Sequence, residues 1–178
     1  FLKKYYPILK GSATFCSEWL VENSEGELVT PVSTSPENAY LMPDGISASV
    51  CEGSTMDIAI IRSLFSNTIN ASKILQTDPL FCAELTQKVN KLKKYQIGSK
   101  GQLLEWDKEY MENEPQHRHV SHLFGLYPGC DITDNTPELF DAARKSLNAR
   151  GNKTTGWSMA WKISLWSRLY DSLKAYEA

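Results

Sequence analysis

Residues 136–169, TPELFDAARKSLNARGNKTTGWSMAWKISLWSRL, contain the signals that decide the fold. Thr136-Pro137 is typical of a helix start, because a hydroxyl side chain can cap the first free amides and proline suits the first helical position. The pattern predicts one helix over about 136–150, ended by Gly151. A second helix is predicted over about 155–169, since apolar residues recur there at helical spacing. Two helices joined by a short connection form a helical hairpin.

The rest of the chain repeats this helical pattern. Further helices are predicted over residues 2–22, from Ser54 or Thr55 through Phe65, from Thr77 or Asp78 to about Tyr95, and over the short apolar segment Val120–Leu126. Two long connections, 23–53 and 96–117, separate these helices, and only residues 26–30 suggest a short hairpin edge. Connections longer than about 12–15 residues in a compact domain are usually either functional or misassigned, and here the residues of chemical interest lie in or beside both of them. The sequence therefore predicts an all-α fold of helical hairpins with long loops that carry the function.

Composition and charge exclude several classes of protein. The 178 residues include 19 Lys+Arg and 21 Asp+Glu, a formal net charge of −2, whereas a nucleic-acid binder needs a basic surface. No apolar run approaches the roughly 20 residues of a membrane span. The four cysteines are widely spaced and are expected to be free thiols that pack as small apolar groups. The chain starts without Met and ends without a helix stop, which predicts a segment of a longer protein.

All three histidines lie within six positions, as His117, His119 and His122. A helical zinc site needs two histidines four residues apart with a glutamate between them, so this spacing argues against a metal. His122 is predicted to pack in the core, because it shares a short apolar helix with two leucines. Arg118 and His119 offer several directed hydrogen-bond donors at the mouth of that helix, which suits recognition of a polyhydroxyl ligand.

A single carboxylate, Glu37, stands near the end of the stiff segment PVSTSPEN, residues 31–38. Its two prolines hold the backbone extended around small hydroxyl residues. Two interpretations of Glu37 remain open. It is either an exposed loop glutamate or a general acid whose pKa is raised in a partly desolvated cleft.

Two further groups of residues are ambiguous. Trp157 and Trp161 share a helical face, which favours core packing, although an indole ring also stacks on the apolar face of a sugar. An acidic run is expected to be solvated, with one member able to hold Arg118; it comprises Glu105, Asp107, Glu109, Glu112 and Glu114.

Taken together, these segments resemble glycoside hydrolase family 95, the α-L-fucosidases that cleave fucose α-1,2-linked to galactose. The matching stretches occur in the family's order at 33–38, 54–62, 117–129, 136–147 and 150–163. HRHVSHLFGLYPG and GWSMAWKI are specific signals, whereas SPEN alone is weak. The resemblance implies part of an (α/α)6 toroid, with residues 1–178 as a single segment that forms about half of the catalytic domain.

The resemblance also implies an inverting mechanism, in which a carboxylic acid protonates the leaving oxygen and a separate base activates water. By motif match, Glu37 would be the general acid, and Arg118 and His119 would bind the sugar hydroxyls. The family's water-activating Asp and Asn motifs have no match here, and neither Asp57 nor Asp171 is expected to replace them. The isolated segment is therefore expected to be inactive.

The remaining expectations also follow from the resemblance. The partner would be a fucosylated oligosaccharide or glycan, no cofactor or metal is implied, and the family suggests a periplasmic or secreted protein. An α-L-galactosidase of the same family and a non-catalytic helical module that binds glycans or proteins stay open as alternatives. A piece of a toroid would expose apolar helix faces, so the segment alone is expected to self-associate.

Overall fold

The computed structural model describes residues 1–178, and helices dominate it. The six α-helices are α1 (Leu2–Trp19), α2 (Thr55–Leu75), α3 (Pro79–Lys91), α4 (Pro137–Arg150), α5 (Gly156–Arg168) and α6 (Ser172–Glu177), and a 3-10 helix spans Ser121–Gly125. The helical expectation is confirmed. The helix predicted to about Tyr95 ends earlier, at Lys91, and the short helix α6 was not predicted.

Only one of the two predicted side-chain caps at helix starts is present in the structure. Ser54 caps α2 as predicted, because its side chain accepts a hydrogen bond from the Asp57 amide. Thr136 makes no such cap for α4. Its hydroxyl donates instead to the Thr133 carbonyl at 2.9 Å, which stabilises the preceding turn, so the predicted cap is wrong while the proline start is confirmed.

The long connection after α1 contains short antiparallel strand pairs. β1 (Val21–Glu22) pairs with β2 (Leu28–Val29), and this is the short hairpin that residues 26–30 suggested. The other strands are β3 (Ser33–Thr34), β4 (Tyr40–Leu41), β5 (Ser47–Ala48), β6 (Val50–Cys51) and β7 (Met111–Glu112). β3 pairs with β6, and β4 pairs with both β5 and β7. Because β7 belongs to the second long connection, the β4–β7 pair brings the two connections together.

Two apolar cores lie beneath these connections. One contains 9 buried residues, mainly from α1, α2 and α3, with Phe65 fully buried at its centre. The other contains 11 buried residues from the 3-10 helix, α4, α5 and the segments beside them. Two packed groups of helices therefore form the interior of the fold.

Three of the four cysteines follow the sequence-based expectation. All four are free thiols, and Cys82 is buried while Cys16 and Cys51 are half-buried. Cys130 is exposed, so it does not pack as a small apolar group. None of the helices combines the length and the apolar character that crossing a membrane requires.

Candidate active site

Glu37 lies in a tight turn formed by residues 35–38. The Asn38 amide donates to the Ser35 carbonyl at 3.1 Å, which closes the turn. Glu37 has a φ of 55°, in the left-handed region that costs a residue with a Cβ about 1–2 kcal/mol. Strained backbone of this kind tends to occur where function requires a particular side-chain direction.

The turn directs the Glu37 carboxylate at Arg118 and His119, although Arg118 lies 81 positions away in sequence. Arg118 Nη2 forms an ion pair with Glu37 Oε2, and His119 Nε2 lies 3.3 Å from the same oxygen. The Glu37 side chain is 62% exposed and that of Arg118 is 41% exposed. The structure thus brings the three sequence-predicted residues together at the surface. The partly desolvated cleft expected around Glu37 is not formed by residues of this chain.

The backbone and ring of His119 are held from two sides. Its amide donates to Nδ1 of the buried His117 at 3.1 Å, and the two imidazole rings stack with centroids 5.2 Å apart. Trp157 packs edge-on against His119 with centroids 4.8 Å apart. Burial lowers the pKa of His117 below its usual value, which keeps this supporting ring neutral at physiological pH.

Trp157 lies beside the site and not in the core. Its side chain is 50% exposed, so the prediction of core packing is wrong for this residue. Trp161 is half-buried, and its Nε1 donates to the Tyr127 carbonyl at 3.1 Å, as a packed indole does. Because the half-exposed Trp157 ring packs against His119, it adds an apolar surface beside the polar groups of the site.

The first turn of α5 supports Arg118 from below. The hydroxyl of the fully buried Ser158 donates to the Arg118 carbonyl, and the Thr154 hydroxyl donates to Ser158 at 2.8 Å. The GWSMAWKI segment therefore contributes to the site through a backbone contact as well as through Trp157.

A buried ion cluster lies behind the Glu37 turn. The Glu105 carboxylate accepts hydrogen bonds from the Ser35 hydroxyl at 2.6 Å and from Asn38 Nδ2 at 3.1 and 3.2 Å. It also forms an ion pair with Arg150 Nη2, and both side chains are almost completely buried. His122 Nδ1 lies 3.6 Å from Glu105 Oε2.

This cluster corrects the prediction of a solvated acidic run. Glu109 and Glu114 are exposed as predicted, but Glu105 and Asp107 are buried, and none of the five holds Arg118. Arg118 takes Glu37 as its partner. Glu105 instead pairs with Arg150, a residue that the sequence presented as a helix end and as the start of a matching stretch, with no role of its own.

Electrostatics fix the charge state of the buried cluster. Burial alone would raise the pKa of Glu105, but the Arg150 guanidinium and the hydrogen bonds from Ser35 and Asn38 lower it below its usual value, as does His122 when its imidazole carries a proton. Burial lowers the pKa of His122 to about 4, so this imidazole is neutral at physiological pH. Arg150 is therefore the cation that keeps Glu105 ionised.

Burial of His122 confirms its predicted core position. No group of three or more His, Cys, Asp or Glu side chains is arranged to hold a metal ion. The two aspartates rejected as bases have structural roles: Asp57 accepts from Ser33 Oγ at 2.6 Å, and Asp171 accepts from the Lys174 amide at the start of α6.

Sequence reasoning missed Glu105 and Arg150 as members of the site. The signal in the sequence was the apolar setting of Glu105, which lies between Leu104 and Trp106. A carboxylate with an apolar residue on each side is a candidate for burial with a partner. The identity of that partner, 45 positions away, had no local signal.

The carboxylate of Glu37, the guanidinium of Arg118 and the imidazole of His119 meet beside the half-exposed indole of α5, a combination that suits a protein that binds or cleaves carbohydrate. Comparison with known proteins gives the same class: the glycosyl hydrolase family 95 catalytic domain matches residues 1–178, and the chain belongs to this family of glycosidases. The resemblance identified from the motifs is confirmed.

Three curated relatives carry fucosidase names. "Alpha-L-fucosidase 2" of Arabidopsis thaliana is 43% identical over 176 residues, which cover 98% of this chain and 21% of the relative. "Probable alpha-fucosidase A" of Aspergillus niger is 32% identical over 96% of this chain and 22% of the relative. The protein of the same name from Aspergillus oryzae is 29% identical over 85% and 22%, respectively. The chain spans about a fifth of the length of these relatives.

Proposed function

We propose that this chain supplies the acid-donating side of an α-L-fucosidase active site. Glu37 is the general acid that protonates the leaving glycosidic oxygen, and Arg118 and His119 donate hydrogen bonds to the sugar hydroxyls. The observation that carries the proposal is the meeting of Glu37 with Arg118 and His119 across 81 positions of sequence. The fucosidase names of the relatives support the choice of sugar.

The proposed role of Glu37 requires its contact with Arg118 to change during the reaction. An ion pair requires the ionised carboxylate, whereas a general acid must carry a proton. We infer that a bound sugar draws the Arg118 guanidinium to its hydroxyl groups and covers Glu37. The covered carboxyl would then lie against the leaving oxygen, to which a general acid donates its proton.

Trp157 is assigned to sugar stacking in this proposal. Fucose has a methyl group at C6 and an apolar ring face, and an exposed indole binds such surfaces. The distance of 4.8 Å between the Trp157 and His119 ring centroids supports the proposal that stacking and hydrogen bonding act on the same ligand.

The remaining parts of the reaction belong to the longer protein. We propose that the chain forms about half of an (α/α)6 toroid and that the water-activating Asp and Asn side chains come from other segments. The mechanism is then inverting, with separate acid and base. The isolated chain would release no fucose. Exposed apolar side chains on α1, among them Ile8 and Phe15, support the expectation that the chain alone self-associates.

The test uses the full-length protein that contains this chain. Glu37→Gln removes the proton donor and keeps the size and polarity of the side chain. Turnover of a glycan with terminal α-1,2-fucose, which has a poor leaving group, should fall by about 10²–10⁴-fold. An aryl fucoside with an acidic phenol needs little protonation and should lose far less. Near-normal turnover of the glycan by Glu37→Gln would remove Glu37 from the acid role.

Glu52→Gln is a matched control, because Glu52 is an exposed glutamate on the same long connection and should behave as the wild type. Nuclear magnetic resonance of the first-formed anomer tests inversion: α-fucosides should release β-fucose. A panel of linkages, together with an α-L-galactoside, separates fucosidase from galactosidase activity. No hydrolysis of any member, with glycan binding retained, would favour a non-catalytic module.

A further inference from the structure

The turn that carries Glu37 is anchored to one buried side chain. Ser35 and Asn38, the residues that close the turn, both donate to the Glu105 carboxylate. Ser35 is 1% exposed and Asn38 is 3% exposed, so these hydrogen bonds are shielded from water. Glu37 itself makes no contact with Glu105 and extends from the turn into solvent. The direction of its carboxylate therefore depends on how Glu105 is held.

Arg150 connects Glu105 to the other half of the site. Besides its ion pair with Glu105, its guanidinium forms an ion pair with Glu112 of β7 and donates to the Pro115 carbonyl at 2.9 Å. Pro115 lies three residues before Arg118. One buried guanidinium thus contacts the anchor of the Glu37 turn and the backbone that leads into Arg118 and His119.

We propose that Glu105 and Arg150 are a positioning pair that fixes the general acid relative to the sugar-binding residues. The inference rests on the proposed function, because Glu105 and Arg150 would fix the positions of the reacting and sugar-binding residues without taking part in the reaction. Stability alone is a weak reason for a buried ion pair, since well-packed apolar side chains often replace such pairs without loss. Here the pair also anchors the Glu37 turn, because Glu105 accepts the hydrogen bonds from Ser35 and Asn38. An apolar side chain in its place could not accept them.

The mechanism of positioning is geometric. Proton donation requires the acid within hydrogen-bond reach of the leaving oxygen, and misplacement by about 1 Å can cost on the order of 10²-fold in rate. Glu37 has a left-handed backbone conformation, which is unfavourable for a residue with a Cβ. When the hydrogen bonds that anchor the turn are lost, Glu37 should relax to a more favourable conformation. Loss of the anchors should therefore impair protonation more than it impairs sugar binding.

The experiment separates positioning from folding through the leaving group. The double variant Ser35→Ala/Asn38→Ala removes the side-chain anchors of the turn and leaves the Glu105–Arg150 pair in place. In the full-length protein, kcat for the α-1,2-fucosylated glycan should fall about 10–100-fold, whereas kcat for the aryl fucoside should fall only about two- to fivefold, with KM little changed. Glu105→Gln should shift the ratio of the two kcat values in the same direction.

Ser146→Ala is the structural control. Ser146 is 4% exposed, and its hydroxyl accepts from the Leu103 amide at 2.9 Å, near Glu105 but without contact to the turn. Any loss of folded protein in this variant should lower both kcat values equally. An unchanged ratio in both Ser35→Ala/Asn38→Ala and Glu105→Gln would overturn the positioning role, provided that Glu37→Gln still abolishes turnover of the glycan. If Glu37→Gln retains turnover, the proposed function itself fails, and the positioning role fails with it.

Discussion

Lowering the pH should decrease the stability of the region around His122, and the size of the decrease follows from the burial of this imidazole. The His122 pKa is lowered from 6.5 to about 4 in the folded protein, because burial disfavours the imidazolium. In the unfolded chain the same residue takes up a proton near its ordinary pKa. The unfolded state therefore binds more protons between these two values, and stability falls as the pH falls through this interval.

The magnitude comes from the size of the shift. A difference of about 2.5 between the folded and unfolded pKa values corresponds to a loss of about 3 kcal/mol once the pH is well below 4. Integration from about pH 7 to about pH 4.5 gives a loss of about 2 kcal/mol in the free energy of unfolding. Most of the effect of Glu105 lies below this range, since its lowered pKa keeps it ionised there.

The assay compares the wild type with His122→Gln in the full-length protein. Hydrogen exchange of peptides that cover the 3-10 helix, measured on both proteins at each pH, reports the local free energy of opening. Because both proteins experience the same intrinsic exchange rates, their difference isolates His122. His122→Gln should lose about 2 kcal/mol less than the wild type between about pH 7 and about pH 4.5. Parallel losses in the two proteins would refute the assignment of this pH dependence to His122.

Three further predictions concern single side chains. Trp157→Ala should raise KM for the glycan about fivefold, because its proposed contribution is stacking worth about 1 kcal/mol. The melting temperature should change little, because the indole is half-exposed; unchanged KM would contradict the stacking role. Glu37→Gly should be about 1 kcal/mol more stable than Glu37→Ala in thermal unfolding, because glycine accepts the left-handed φ without a Cβ clash, and equal stability would argue against strain in this turn. Burial lowers the pKa of Lys162, whose ammonium donates to the Gly151 carbonyl. The stability of the wild type relative to Lys162→Met should therefore rise as the pH increases through that lowered pKa toward 10.5. A stability difference that does not change with pH in urea unfolding would show that the Lys162 pKa is not lowered by burial.

The helices were predictable because their signals are local. Pro137 and Gly151 mark the ends of α4 within a few residues of where it begins and ends. The strand pairs were not predictable from alternation, since each strand is only two residues long. The β4–β7 pair joins residues about 70 positions apart, and no periodic pattern in the sequence predicts such a long-range contact.

The exposed residues of the site were predicted from the sequence, whereas its buried residues were missed. Glu37, Arg118 and His119 belong to motifs with family resemblance, and the structure brings them together. Trp157 was misassigned, because helical spacing identifies a face but not what covers it. Glu105 and Arg150 depend on a long-range pairing of charges, so only a three-dimensional structure could connect them.

The contact between Arg118 and Glu37 has a consequence for inhibitors. A sugar mimic with a ring ammonium group would compete with the Arg118 guanidinium for the Glu37 carboxylate, since both cations need the same oxygens. Such a compound has to replace a charge that already lies beside Glu37, whereas a neutral mimic, like the natural sugar, binds the displaced Arg118 guanidinium through its hydroxyl groups. Affinity for an amine-bearing mimic should therefore increase when Arg118 is replaced by methionine, even though the same replacement weakens binding of the natural glycan.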